Sequence, residues 1–194
     1  AGGVAVQLDV EVRGEIVQHD VKVLELAALK GVFADVVEDP VTYVNAPVIA
    51  VDRGVAVRLV TGEESPDHRN LVTVRGRLAD GRTLSVSGTL TGPRHVEKIV
   101  EVLGYDVDVQ PSEHMAFLRY DDKPGVVGTV GRILGEANVN IAGMQVSRDS
   151  RGGHAMVAMT VDQAIPDHAL ESIVAAIDAF RRPALAARVD DGLD

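Results

Sequence analysis

The 194-residue sequence contains no cysteine and no tryptophan, and aromatic residues make up only 3% of it. Without thiols, these residues offer no disulfide, no thiol nucleophile and no cysteine-held zinc or iron–sulfur site. Long apolar runs are missing as well. Nothing approaches the ~18 uninterrupted apolar residues of a membrane-spanning helix. No charged segment followed by an apolar stretch opens the chain as a secretory signal would. No membrane partner is expected, and the expected location is cytoplasmic. Positive charge is scarce: 19 Lys and Arg stand against 29 Asp and Glu, for a formal charge of −10. Split at Pro111, both halves are acidic. Binding to phosphate backbones needs a concentrated positive footprint, so nucleic acid is not an expected partner. The chain opens Ala1-Gly2-Gly3 rather than with Met, a linker-like start that reads as a piece of a longer protein.

What is present is a globular composition with 46% apolar residues, enough length for two domains of about 100 residues. Val4, Val6, Leu8, Val10 and Val12 alternate with Gln7, Asp9, Glu11 and Arg13, the pattern of a half-buried strand that Gly14 ends. Leu24 to Val37 predicts a helix, with Leu26, Leu29 and Phe33 near one face. Asn45 and Pro47 mark a second helix start, Gly54 its stop, and Val55 to Val60 a further strand. A hairpin is predicted between Leu71 and Leu90, turning through Ala79-Asp80-Gly81-Arg82, with Gly76 and Gly88 marking close approach of another element. Two short strands flank Gly104. Gln110-Pro111-Ser112 is a polar break, giving expected domains of 1–110 and 111–194.

Beyond that break, Met115 to Tyr120 reads as a strand. Pro124-Gly125 opens a helix carrying Val126, Val127, Val130, Ile133, Leu134 and Ala137 on one face. Gly125, Gly128 and Gly131 recur every three residues there, which suggests close helix packing rather than a pyrophosphate cradle. Val139 to Val146 and Ala155 to Val161 read as strands around a turn from Arg148 to Gly153. Asp167 is placed to cap a helix with Leu170, Ile173, Val174, Ile177 and Phe180 on its buried stripe. Ala184 to Val189 can form a last strand. The order βαββαβ is that of a ferredoxin-like sandwich. The expected fold class is therefore α+β: an N-terminal α/β domain followed by a ferredoxin-like one.

Catalytic machinery is not legible. The six histidines fall in no H-E-x-x-H spacing and beside no nucleophile motif. No G-x-G-x-x-G and no G-K-[ST] occurs, so no catalytic residue, metal or cofactor is assigned to these residues. Glu63-Glu64 and Asp190-Asp191 read as solvated charge.

Binding chemistry is legible at one place. Tyr120-Asp121-Asp122-Lys123-Pro124-Gly125 leads from a strand end into a helix N-terminus, where backbone N–H groups and the helix dipole suit a carboxylate. Asp122 can accept from an ammonium group, and Asn140 offers both a donor and an acceptor. Together these match a zwitterionic amino acid. The plain alternative stays open at this point: Pro124-Gly125 is a turn and Asn140 a turn residue.

The run from Ala116 to Phe180, with Tyr120-Asp121-Asp122-Lys123-Pro124-Gly125-Val126-Val127-Gly128 and Asn138-Val139-Asn140-Ile141, resembles an ACT domain, a small amino-acid-sensing module. Arg13-Gly14-Glu15, Ala27-Ala28-Leu29-Lys30-Gly31, Val44-Asn45-Ala46-Pro47, Ser65-Pro66-Asp67-His68-Arg69-Asn70 and Ser87-Gly88-Thr89-Leu90 resemble the intervening, allosteric substrate-binding domain of long-form D-3-phosphoglycerate dehydrogenases. The resemblance implies the C-terminal regulatory region of such an enzyme, whose parent oxidises 3-phosphoglycerate with NAD in L-serine synthesis. NAD and the catalytic residues then belong to other parts of the parent. It also implies feedback binding of L-serine between the ACT domains of two subunits in a homodimer or homotetramer. Its ligands would be Tyr120, Asp122 and Asn140, assisted by backbone at Pro124, Gly125, Val126 and Val127. Lys98 stands where an anion-binding lysine is expected, although Asp106, Gln110 and Thr160 replace the cations that would accompany it. Two alternatives accompany this reading: the regulatory part of an L-serine dehydratase, or a dimerisation module without a ligand.

Overall fold

The computed structural model describes residues 5–34 and 36–177, together with the backbone of 185–187. It divides into two compact units, Ala1–Gly104 and Tyr105–Asp194.

The first unit opens with β1 (Ala5–Gly14), as the alternation predicts; Val4 lies outside the described residues. A 3-10 turn (Glu15–Gln18) that the periodicity does not announce leads to α1 (Lys22–Phe33) and α2 (Ala46–Asp52). Then come β2 (Ala56–Gly62), β3 (Asn70–Leu78), β4 (Thr83–Thr91) and β5 (Val96–Val102). Within this unit the strands lie in the order β2-β1-β3-β4-β5. β1 and β2 are parallel, since two helices carry the chain back between them; the later pairs are antiparallel. The helices cover one face, where Leu8, Val10 and Val12 meet Leu29, Phe33, Ala46 and Ala50. Leu29 and Phe33 lie on the buried face of α1 as expected, but its third buried residue is Glu25, while Leu26 is only partly buried. Glu25 is tolerated there because Lys22 Nζ lies 2.5 Å from its carboxylate. The hairpin turn is as expected, with Gly81 at φ +84°. Gly88 marks a real close approach: a Cβ there would stand 3.3 Å from the Lys98 carbonyl oxygen.

The second unit contains β6 (Tyr105–Val109), β7 (Met115–Asp121), α3 (Val126–Glu136), β8 (Ile141–Arg148), β9 (His154–Val161), α4 (Asp167–Ala176) and β10 (Leu185–Ala187). From β7 onward this is the βαββαβ order, and the sheet runs β10-β7-β9-β8 with antiparallel neighbours. The α+β, two-domain expectation is met. Ala116, Leu118 and Tyr120 of β7 pack under Val130, Leu134 and Ile173 of the two helices. Phe180 and the outer residues of the expected strand Ala184 to Val189 lie outside the described residues.

Two expectations are corrected here. Gly128 and Gly131 do not serve close packing: a Cβ at either would meet nothing within 4 Å. Gly128 is exposed and Gly131 partly buried on the flank of α3, and neither is among its buried residues Val126, Val130, Ile133 and Leu134. Asp167 is not a cap either. It is the first residue of α4, Pro166 takes the N-cap position, and no side chain closes that end.

Candidate functional site

The corner where β7 runs into α3 gathers most of the sequence-predicted site. Period-2 alternation turns Tyr120 toward the helices and Asp121 to the opposite face. Tyr120 is only 2% exposed, so its ring is part of the core. Burial pushes its phenol above the usual tyrosine range, the Asp122 carboxylate adds to that, and the Arg148 guanidinium opposes it. Asp122 is held on both sides. Its N–H donates to the Gly153 carbonyl at 2.9 Å, and its Oδ2 lies 3.2 Å from Arg148 Nε. On the opposite face, Asp121 meets His154 Nδ1 at 3.1 Å and Lys123 Nζ at 3.7 Å.

Exposed Pro124 follows, then Gly125 at φ +90°, the left-handed conformation that lets the chain turn sharply into α3. Gly125 is the N-cap of α3 and no side chain caps it. The first helical bond runs from Thr129 N–H to the Gly125 carbonyl, 2.9 Å. The N–H groups of Val126, Val127 and Gly128 therefore have no intrahelical acceptor and point out of the helix end. Val126 is buried under this turn and Val127 is 46% exposed beside it.

Arg148 and Ala155 belong to the same corner, and the sequence reading passes over both. Tyr120 pairs with Ala155 across β7 and β9, and Ala155 pairs with Arg148 across β9 and β8. The three share one row on the helix-facing side. Because Ala155 ends at a methyl group, the Arg148 side chain can cross the row and reach Asp122. The signal lay in the alternation Met144, Val146, Arg148; β8 begins two residues later than predicted and keeps Arg148, which the sequence reading gave to the turn.

Asn140 is not in this corner. It precedes β8, and α3 has carried the chain to the other end of the sheet, where Ile141 pairs with Val161. Its Nδ2 donates to Asp162 Oδ2 at 2.7 Å. Arg148 is the last of the eight residues of β8 that follow it, a span of about 25 Å at roughly 3.3 Å per residue. Lys98 lies in the first unit, half-buried on β5 opposite Thr89. Asp106, Gln110 and Thr160 lie in the second.

A groove of about 550 Å³ runs between α3 and α4, past Arg132, Glu136, His168 and Ser172. It lies on the outer helical surface, away from the β7–α3 corner. Among the described residues, no three His, Cys, Asp or Glu side chains converge as a metal site, and no helix is long and apolar enough to cross a membrane. The corner sets a carboxylate paired with Arg148 ahead of uncapped backbone N–H groups, with the small side chain of Ala155 in the same row.

Two family models match the chain. Residues 4–103 match the D-3-phosphoglycerate dehydrogenase intervening domain, and residues 114–178 match the ACT domain. Among curated proteins, the chain is 45% identical over 172 residues to D-3-phosphoglycerate dehydrogenase of Mycobacterium leprae, covering 89% of the chain and 33% of the relative. The enzyme of the same name from Mycobacterium tuberculosis is 44% identical over 176 residues, covering 91% of the chain and 33% of the relative. That of Bacillus subtilis is 30% identical over 164 residues, covering 84% and 31%. The chain thus spans about a third of the length of the curated relatives it matches.

Proposed function

The chain belongs to the D-3-phosphoglycerate dehydrogenase intervening-domain family and carries an ACT domain behind that domain; from that premise we propose that it is the effector-sensing part of such an enzyme, binding L-serine as a feedback signal. The parent would oxidise 3-phosphoglycerate with NAD, and both substrate and nicotinamide would be held outside these 194 residues. The domain division in this reading is 1–110 and 111–194.

The observation that carries the proposal is the placement of the Asp122 carboxylate three residues ahead of Gly125, the uncapped N-terminus of α3. An α-amino acid presents an ammonium and a carboxylate on one carbon, and the corner presents an acceptor and a set of N–H donors. A small hydroxylated side chain suits a corner floored by Ala155 and walled by the buried Tyr120.

Asn140 joins this site only from a second copy. β8 is the last strand of its sheet, so one of its edges has no ladder partner within it. Pairing two β8 edges antiparallel about a two-fold axis sets Asn140 of one copy beside the Arg148 end of the other. Two such corners then form per dimer, each closed by the neighbouring copy's amide.

Calorimetric titration of the 194-residue chain tests the reading, with D-serine, glycine and L-threonine as comparisons. Saturable binding selective for L-serine is expected. A dimer that binds none of the four would leave an architectural module in place of a sensor.

A further inference from the structure

We infer that Arg148 is a positioning residue of the effector corner: it holds the Asp122 carboxylate by one oxygen so that the other faces the incoming ammonium group. This rests on the effector reading above. The family resemblance does not single Arg148 out; its place in the strand register does.

Asp122 is a shielded charge. Its side chain is 14% exposed, next to a fully buried Tyr120 ring and the buried Val126. A carboxylate in such surroundings is costly unless a cation faces it. Arg148 is that cation, with Nε 3.2 Å from Oδ2. The planar guanidinium restricts the carboxylate's rotation as a lysine's point charge does not. The Asp122 backbone is fixed independently through its N–H to Gly153. The side chain keeps its own χ1 and χ2 freedom, and Arg148 limits it.

The position of Arg148 fits this task better than a core or folding role. Its own side chain is 57% exposed, so it is not part of the buried core. It is the last residue of β8, and its route to Asp122 exists only because Ala155 intervenes as a methyl group. Electrostatically the empty corner is neutral, one carboxylate against one guanidinium. A zwitterion adds one charge of each sign: the ammonium meets the second carboxylate oxygen and the carboxylate meets the α3 N–H groups. The loaded corner is again neutral, and no buried charge is left unpaired.

An ordinary surface ion pair would have the same distance but no effect on the ligand. Titrating L-serine into the wild-type chain, R148M, R148K, D122N and the D122N/R148M double variant separates the two. R148M is expected to bind about 10- to 100-fold more weakly, the scale of one charge-assisted contact. R148K should recover part of that loss. The unliganded R148M chain should melt several degrees below wild type, because the shielded Asp122 carboxylate loses its facing cation, whereas unliganded D122N/R148M should melt within about 3 °C of wild type. In the D122N background, adding R148M should change affinity by less than about threefold, because a positioning residue has nothing left to position.

Wild-type affinity in R148M overturns the inference. So does a loss that persists undiminished in D122N, which would mean that Arg148 touches the ligand by itself. If the wild-type chain binds no L-serine, the effector reading fails first and this inference falls with it. If wild type binds and R148M binds equally, only the role of Arg148 is lost.

Discussion

Asp122 and Asn140 are only 18 positions apart in sequence, yet they stand at opposite ends of one sheet, joined by a helix that carries the chain from one end to the other. Asp122 faces Arg148 at one end, and Asn140 faces Asp162 at the other. No single copy can bring both to one small ligand, since the span is about 25 Å. The account therefore ties effector binding to self-association. Diluting the chain below its dimer dissociation constant should abolish L-serine binding, and saturating L-serine should shift sedimentation toward the dimer. Binding that is independent of protein concentration in a monomeric chain would contradict this.

Tyr120 serves the core and borders the site, and two substitutions separate those roles. Tyr120→Ala removes one of the largest fully buried side chains and should cost about 3–5 kcal/mol of stability, the usual scale for emptying an aromatic site. Tyr120→Phe keeps the ring, so stability should change by less than about 1.5 kcal/mol. If the hydroxyl helps hold the ligand, L-serine affinity should still fall. Denaturant unfolding and calorimetry on both variants check the pair.

Glycines in the two units make opposite predictions. Gly14 lies at φ +95° with extended ψ, and a Cβ there would stand 2.1 Å from the Arg69 carbonyl oxygen. Gly14→Ala should destabilise the first unit by about 3 kcal/mol or more, through strain and a backbone clash together. Gly131→Ala should stabilise α3 by roughly 0.5–1 kcal/mol, because the added methyl group meets open space in a helix interior. Urea denaturation midpoints read both signs.

Asp9 gives a pH dependence with a defined sign. Its pair with Arg58 (Nη2 to Oδ2, 2.9 Å) holds its carboxyl below the usual carboxylate range, helped by Gln7 and opposed by burial. A depressed folded-state pKa adds stability above the unfolded value near ~3.9 and loses it as pH falls through the folded value. Arg58→Met should therefore lower stability slightly at pH 7, and the difference from wild type should close as pH drops below about 4. A gap that persists at pH 2 would assign the effect to lost packing instead.

The fold was legible wherever one period dominates. Strict alternation located β1, and spacings of three and four located α3. Glu25 was not legible as a buried residue: the i, i+3 spacing offers Lys22 as its partner, but only the packing shows that α1 turns Glu25 inward with Leu29 and Phe33. The absent cap on α4 was not legible either: Asp167 has the right chemistry, but Pro166 already sets the extended backbone at the N-cap, one residue earlier. At the site, the loop and helix N-terminus follow from Tyr120 to Val127 alone. The separation of Asn140 also follows, once α3 is counted as 11 residues rising about 16 Å. Arg148 could not be recognised without the strand register, which alone shows that its row crosses Ala155 to reach Tyr120.

The most direct test of a site shared between two copies is complementation. Asp122→Ala and Asn140→Ala chains should each bind no L-serine as homodimers. Mixed and allowed to exchange, they should recover one wild-type-affinity site per mixed dimer, built from the intact Asp122 of one copy and the intact Asn140 of the other. A mixture that binds no better than the separate variants would contradict the account.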